Sequence, residues 1–67
     1  MVEINLEKNY SIREAALVLN LTAQAVYNRL KLAPTNPYFI GSYLVEGRKM
    51  ISGQELQRVY NQKMAVN

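Results

Sequence analysis

The chain has no cysteine, histidine, aspartate or tryptophan among its 67 residues, and only one phenylalanine. Each absence closes a class of function. Without cysteine there is no disulfide and no thiolate, and without histidine the usual zinc ligand sets and the commonest general base are missing. Acidic residues number five, all of them glutamate. That inventory is too poor for a metal site or an acid-base pair, and no nucleophile stands beside a base. The expectation is a protein that is not an enzyme and that takes no metal, no cofactor and no small-molecule ligand. The uncharged stretch 15–28 contains Asn20, Thr22 and Gln24. It is too short and too polar to cross a bilayer, so no membrane partner is expected. The opening residues carry Glu3 and Glu7, where a secretory leader would need cations and then an apolar run. A cytoplasmic, nucleoid-associated protein fits these features.

What the chain does have is a divided charge. Its formal net charge is +3 with a pI near 9.5. Residues 1–14 set Lys8 and Arg13 against Glu3, Glu7 and Glu14, a net of −1. Residues 15–67 set Arg29, Lys31, Arg48, Lys49, Arg58 and Lys63 against Glu46 and Glu55, a net of +4. The cations therefore lie beyond the first predicted helix. Such a bias points to a polyanion only when shape supports it.

A chain this short makes one domain, here 1–67 with its core at about 10–64. Val2, Ile4 and Leu6 alternate with polar residues, which reads as a short extended segment. Ser11 followed by Glu14 forms a capping box, and Ile12, Ala15, Ala16 and Leu19 then recur at helical spacing. This predicts a helix over Ile12 to Leu19, closed by Asn20 in the left-handed region. Thr22 offers a second N-cap, and 23–32 holds good helix formers without Gly or Pro. Two short helices meeting at a tight turn make a helix-turn-helix, with Leu21 beneath the turn.

The second helix divides into two faces. Val26 and Leu30 point inward, whereas Gln24, Tyr27, Asn28 and Lys31 share one outward stripe of hydrogen-bonding groups. Pro34 and Pro37 break the helix. The stretch Tyr38 to Val45 then reads as a strand, Glu46-Gly47 as a turn, and Arg48 to Ile51 as the returning strand. Two registers stay open, because a two-residue turn and a bulged turn put different residues on the core face. Ser52 and Glu55 suggest a second capping box, and Leu56, Val59, Tyr60 and Met64 give a third helix over about Gly53 to Met64 its apolar stripe. The fold expected is mainly α with a small β-hairpin: a winged helix-turn-helix with a two-stranded wing and a C-terminal helix.

Chemistry follows from that layout. The DNA major groove admits one helix, and amide side chains suit adenine N6 and N7. Gln24 and Asn28 are the candidate base readers, joined by Tyr27, which also lies within reach of the sugar-phosphate chain. Arg29, Lys31, Arg48 and Lys49 are candidate phosphate contacts, as are Ser11 and Thr22 at helix starts. One copy with so few phosphate contacts binds weakly, so adjacent copies on repeated sites are expected partners.

Tyr10 to Ala16, Tyr27 to Leu30, Gly47 to Ser52 and Glu55-Leu56 together resemble the MerR-like winged helix-turn-helix of phage excisionases and related regulators, over roughly residues 10–64. The resemblance implies a recognition helix at 23–32 in the major groove and a wing carrying Arg48 and Lys49 on the backbone or minor groove. It further implies a role in recombination directionality, alongside a recombinase, or in transcription control or plasmid maintenance. The chain departs from the pattern at Asn20, where glycine is common, and at Leu17, where an exposed polar residue is usual. Its strand over Tyr38 to Val45 is long for the family's wing. The dimerising helix and effector domain of full MerR regulators are missing, so ligand sensing does not carry over.

Plainer readings stand beside these. The Gln24 to Lys31 stripe is otherwise a solvated helix face, and Arg48 and Lys49 otherwise guard a sheet edge against pairing. Tyr38, Phe39 and Tyr43 are expected in the core. Leu17 is either a lone exposed apolar side chain or a protein contact. The alternative function, a protein-interaction adaptor or antirepressor of the same fold, would use Leu17 and the hairpin.

Overall fold

The computed structural model describes residues 3–65, with side chains described for 3–62. Strand β1 covers Asn9–Ser11 and runs directly into helix α1, Ile12–Leu19. Helix α2 covers Ala23–Leu30, strands β2 and β3 cover Tyr43–Val45 and Arg48–Ser52, and helix α3 covers Gly53–Ala65. The three strands form one antiparallel sheet in the order β1-β3-β2. The sheet has three strands where the sequence suggested a two-stranded wing, because the extended segment near the N-terminus lies at Asn9–Ser11, later than the alternation of Val2, Ile4 and Leu6 implied. Residues 6–8 form a turn, closed by Lys8 N–H donating to the Asn5 carbonyl. Val2 lies outside the described residues.

Local chemistry explains the first two helices. Ser11 Oγ accepts from the Glu14 amide and the Glu14 carboxylate accepts from the Ser11 amide, so the capping box at α1 is complete. Asn20 closes α1 at φ 57, and the Leu21 amide donates to the Ala16 carbonyl. Only Asn20 and Leu21 separate that helix from Thr22, whose hydroxyl oxygen caps α2 by accepting from the Ala25 amide. Helix α2 stops at Leu30, two residues earlier than expected. The amides of Lys31 and Leu32 turn tightly onto the Asn28 and Arg29 carbonyls, three residues back, which winds the chain out of the α-helix ahead of Pro34.

The strand expected over Tyr38 to Val45 is shorter than its composition suggests. Its first half is held by other partners: the Phe39 amide by the Asn36 carbonyl, the Ile40 amide by the Arg29 carbonyl and the Gly41 amide by Glu55 Oε2. Pairing begins only at Tyr43, opposite Met50. The turn is two residues long, with Glu46 at φ 52 and Gly47 at φ 81. Positive φ at both central positions makes it type I′, the turn whose twist matches a hairpin. That settles the register, with Val45 opposite Arg48 and Leu44 opposite Lys49.

One cluster of buried residues joins the elements: Tyr10, Ile12, Ala15, Ala16, Leu19, Val26, Ile40, Ile51, Leu56 and Val59. Ile4, Val18, Leu21, Leu30 and Tyr60 are packed against it. Met64, expected in the core, lies outside the described side chains. Tyr38 and Tyr43 are not core residues, being 54% and 46% exposed. Alternation in β2 and β3 puts Tyr43 on the sheet face opposite Ile51, where its hydroxyl bonds to the Asn9 side chain of β1. Phe39 is partly buried. At α3 the second capping box is half made. Ser52 Oγ accepts from the Glu55 amide, but the Glu55 carboxylate serves Gly41 and Arg58 instead.

Candidate nucleic-acid interface

The outward stripe of α2 is solvent-facing. Gln24, Tyr27, Asn28 and Lys31 are all exposed, while Val26 is fully buried and Leu30 lies against the core. Their spacing of three and four residues stacks them along one side of the helix. Gln24 Nε2 donates to Asn28 Oδ1 at 3.1 Å, so the two amide groups form a pair.

An open groove of about 1000 Å³ lies between α1, α2 and the hairpin. Tyr27 from α2, Arg13 from α1 and Arg48 and Lys49 from the hairpin all line it. The arrangement follows from sheet register. Strand β1 ends at Ser11, opposite Met50, and turns into α1. Arg48 and Lys49 continue past the end of β1, so β3 has an open flank there facing the start of α1. Arg13 was not among the candidates read from the sequence. It sits inside the capping-box motif and belongs to the first, acidic part of the chain, and only the return of β3 beside β1 gives it cationic neighbours.

The groove also contains Glu14 and Glu46. Three cations against two carboxylates give its lining a net charge of +1. Glu14 stays ionised, because the Ser11 amide, above all, holds its carboxyl below the usual glutamate range, with Lys8 adding to the effect. Its carboxylate is 3.5 Å from Lys8 Nζ.

The two helix starts consequently differ. At Ser11 the cap is filled by the chain's own Glu14 carboxylate. At Thr22 there is no acidic residue in the first turn, and among the described residues no acceptor takes the amides of Ala23 and Gln24. Free amides and the positive end of the helix dipole favour an anion at the second start far more than at the first.

The cations separate in the same way. Arg58 is committed: it bonds both carboxylate oxygens of Glu55 and the Phe39 carbonyl. Arg29 is partly buried, with its guanidinium 5.5 Å from the Tyr38 ring. It lies about 100° around α2 from Asn28 and so off the stripe. Arg13, Lys31, Arg48 and Lys49 are exposed and form no ion pair among the described residues. Leu17 stands out from α1 at 78% exposure and Leu44 from β2 at 68%. No helix among the described residues is long and apolar enough to cross a membrane.

Comparison of the chain with protein-family models, with curated proteins and with solved structures finds no match.

Proposed function

We propose that this chain binds double-stranded DNA as a winged helix-turn-helix protein, with α2 as the recognition helix and the β2–β3 hairpin as the wing. One observation carries the reading. Tyr27 of the amide-bearing stripe and the cationic hairpin tip line the same open groove, so a single duplex can meet both. In that pose Gln24 and Asn28 enter the major groove and Tyr27 lies at its edge. Lys31, Arg48, Lys49 and Arg13 reach phosphates, and the acid-free start of α2 at Thr22 takes another. Base edges matter in this scheme because the groove lining is nearly neutral and attracts any polyanion only weakly.

Ser11 is a poorer phosphate contact than Thr22, since Glu14 already fills its cap. Arg29 contributes to the charge of α2 from the side that faces Tyr38. With four phosphates neutralised, the logarithm of affinity falls with that of salt at a slope of about 3.6. Such a protein, resembling MerR-like excisionases, acts as a recombination directionality factor or a transcriptional regulator, and neighbouring copies on repeated sites strengthen its hold.

The test is selection from a random duplex pool at two salt concentrations, followed by footprinting of the recovered sites. Enrichment of a short motif that weakens with salt supports the proposal, and a pool that stays random overturns it. The exposure of Leu17 on α1 and of Leu44 on the hairpin favours a second reading, an adaptor or antirepressor that docks another protein through Leu17 and the hairpin. Partner binding that persists in high salt and is lost in Leu17→Ala but not in Lys31→Ala would select it.

A further inference from the structure

We propose that Gln24 is a positioning residue for Asn28, and that the two amides read one base pair rather than two. This rests on the DNA-binding reading above and gives the site its specificity. The two residues are four apart on α2 and both are exposed. Gln24 Nε2 donates to Asn28 Oδ1 at 3.1 Å, and among the described residues no other hydrogen bond engages either side-chain amide.

An exposed asparagine amide turns freely, and a half-turn exchanges its oxygen with its nitrogen. Adenine presents a donor at N6 and an acceptor at N7 in fixed order, so only one orientation of the amide matches it. The donor from Gln24 selects that orientation. It draws Oδ1 toward the N-terminal end of α2 and leaves Nδ2 on the far side. Oδ1 keeps a second lone pair for the N6 hydrogen, and Nδ2 keeps both of its hydrogens for N7. Asn28 therefore remains a complete adenine reader while bonded to its neighbour. Gln24 keeps its carbonyl and one N–H, but its side chain is folded along the helix toward Asn28, which holds its amide beside that of Asn28 and not over a neighbouring base pair. Independent reading of two adenines would require that bond to break.

The pairing has a distinct mutational signature. Asn28→Ala removes the preference for adenine at one position, about a 5- to 100-fold loss of discrimination. Gln24→Ala weakens preference at that same position by about 2-fold, the scale of an exposed i,i+4 contact. The double variant is no worse than Asn28→Ala alone. Gln24→Glu is the sharper probe, because a carboxylate only accepts. It draws Nδ2 in place of Oδ1, turns the amide over and abolishes the adenine preference more fully than Gln24→Ala does. An acid in the first turn of a helix is stabilising, so this variant stays folded. Its added negative charge lowers affinity for all sequences alike and leaves base preference untouched, which separates the two effects.

The experiment is duplex selection and competitive binding with the wild type and these four variants. Loss of preference at a single shared base pair, with non-additive cost, is the expected result. Loss at two different base pairs, or a double variant that shows the product of both effects, would overturn the pairing while leaving DNA binding intact. A wild type that enriches no motif would overturn the DNA reading itself, and the pairing with it.

Discussion

Replacing Gly53 with alanine sets helix propensity against tertiary packing. Gly53 is the first residue of α3 and has no positive φ. Judged on propensity, alanine should stabilise a helix by up to about 1 kcal/mol over glycine. Yet a Cβ at this position would lie 2.9 Å from both Asn5 C and Leu6 Cα, and nearer still to the Asn5 carbonyl oxygen. These are backbone atoms and have no rotamer to move to. The segment they belong to is tied down by the Gly53 amide on the Lys8 carbonyl and by the Asn5 amide on the Tyr10 hydroxyl. Ile4 rests against the core just before it.

To admit the methyl group, the turn at 5–8 must lift. Overpacking of this kind costs about 1 to 3 kcal/mol. Approaches this short to three backbone atoms belong to the upper half of that range, so after the propensity gain the net loss is on the order of 1 to 2 kcal/mol. For a domain this small that lowers Tm by about 5 to 15 °C. Thermal and urea unfolding followed by circular dichroism measure it, and the urea midpoint should fall with its slope unchanged. A midpoint equal to or above that of the wild type would refute the packing of the 5–8 turn on the start of α3.

Three other outcomes follow from the same geometry. Gly47→Ala meets nothing within 4 Å, but its φ of +81 lies where side chains are strained, so it should cost about 1 kcal/mol in urea unfolding through the backbone alone. Lys31→Ala and Arg48→Ala should each weaken binding to every duplex and lower the salt slope by about 1, measured by fluorescence anisotropy across a salt series. Glu14 and Glu55 are both held below the usual carboxyl range, Glu14 chiefly by the Ser11 amide and Glu55 chiefly by Arg58. Depressed folded-state values mean that this stabilisation is complete above the unfolded pKa and fades as pH falls through the folded one. Tm should hold steady near neutral pH and drop below about pH 5, more shallowly in Glu55→Gln than in the wild type.

Local signals in the chain located most of the helical structure. The capping box at Ser11 and Glu14 and the αL residue Asn20 lie within a few residues of what they control, so both ends of α1 fell where expected. The stripe on α2 was equally legible, since helical periodicity alone decides that Gln24, Tyr27, Asn28 and Lys31 share a side. Where local rules failed, a distant group had taken over the backbone or the side chain. Glu55 reads as half of a capping box, but Gly41 and Arg58 hold its carboxylate. Tyr38 to Gly41 have strand composition, yet their amides go to Asn36, Arg29 and Glu55.

By itself, then, the sequence determined where the three helices begin and which face of α2 is polar. The tertiary structure alone decided that Asn9–Ser11 pairs with β3, that the hairpin turn is type I′, and that Arg13 shares a groove with Tyr27, Arg48 and Lys49. The physical reason is range. Caps and periodicity act within about one or two helical turns, whereas the pairing of β1 with β3 and the meeting of Arg13 with Arg48 and Lys49 depend on contacts between residues 35 or more positions apart.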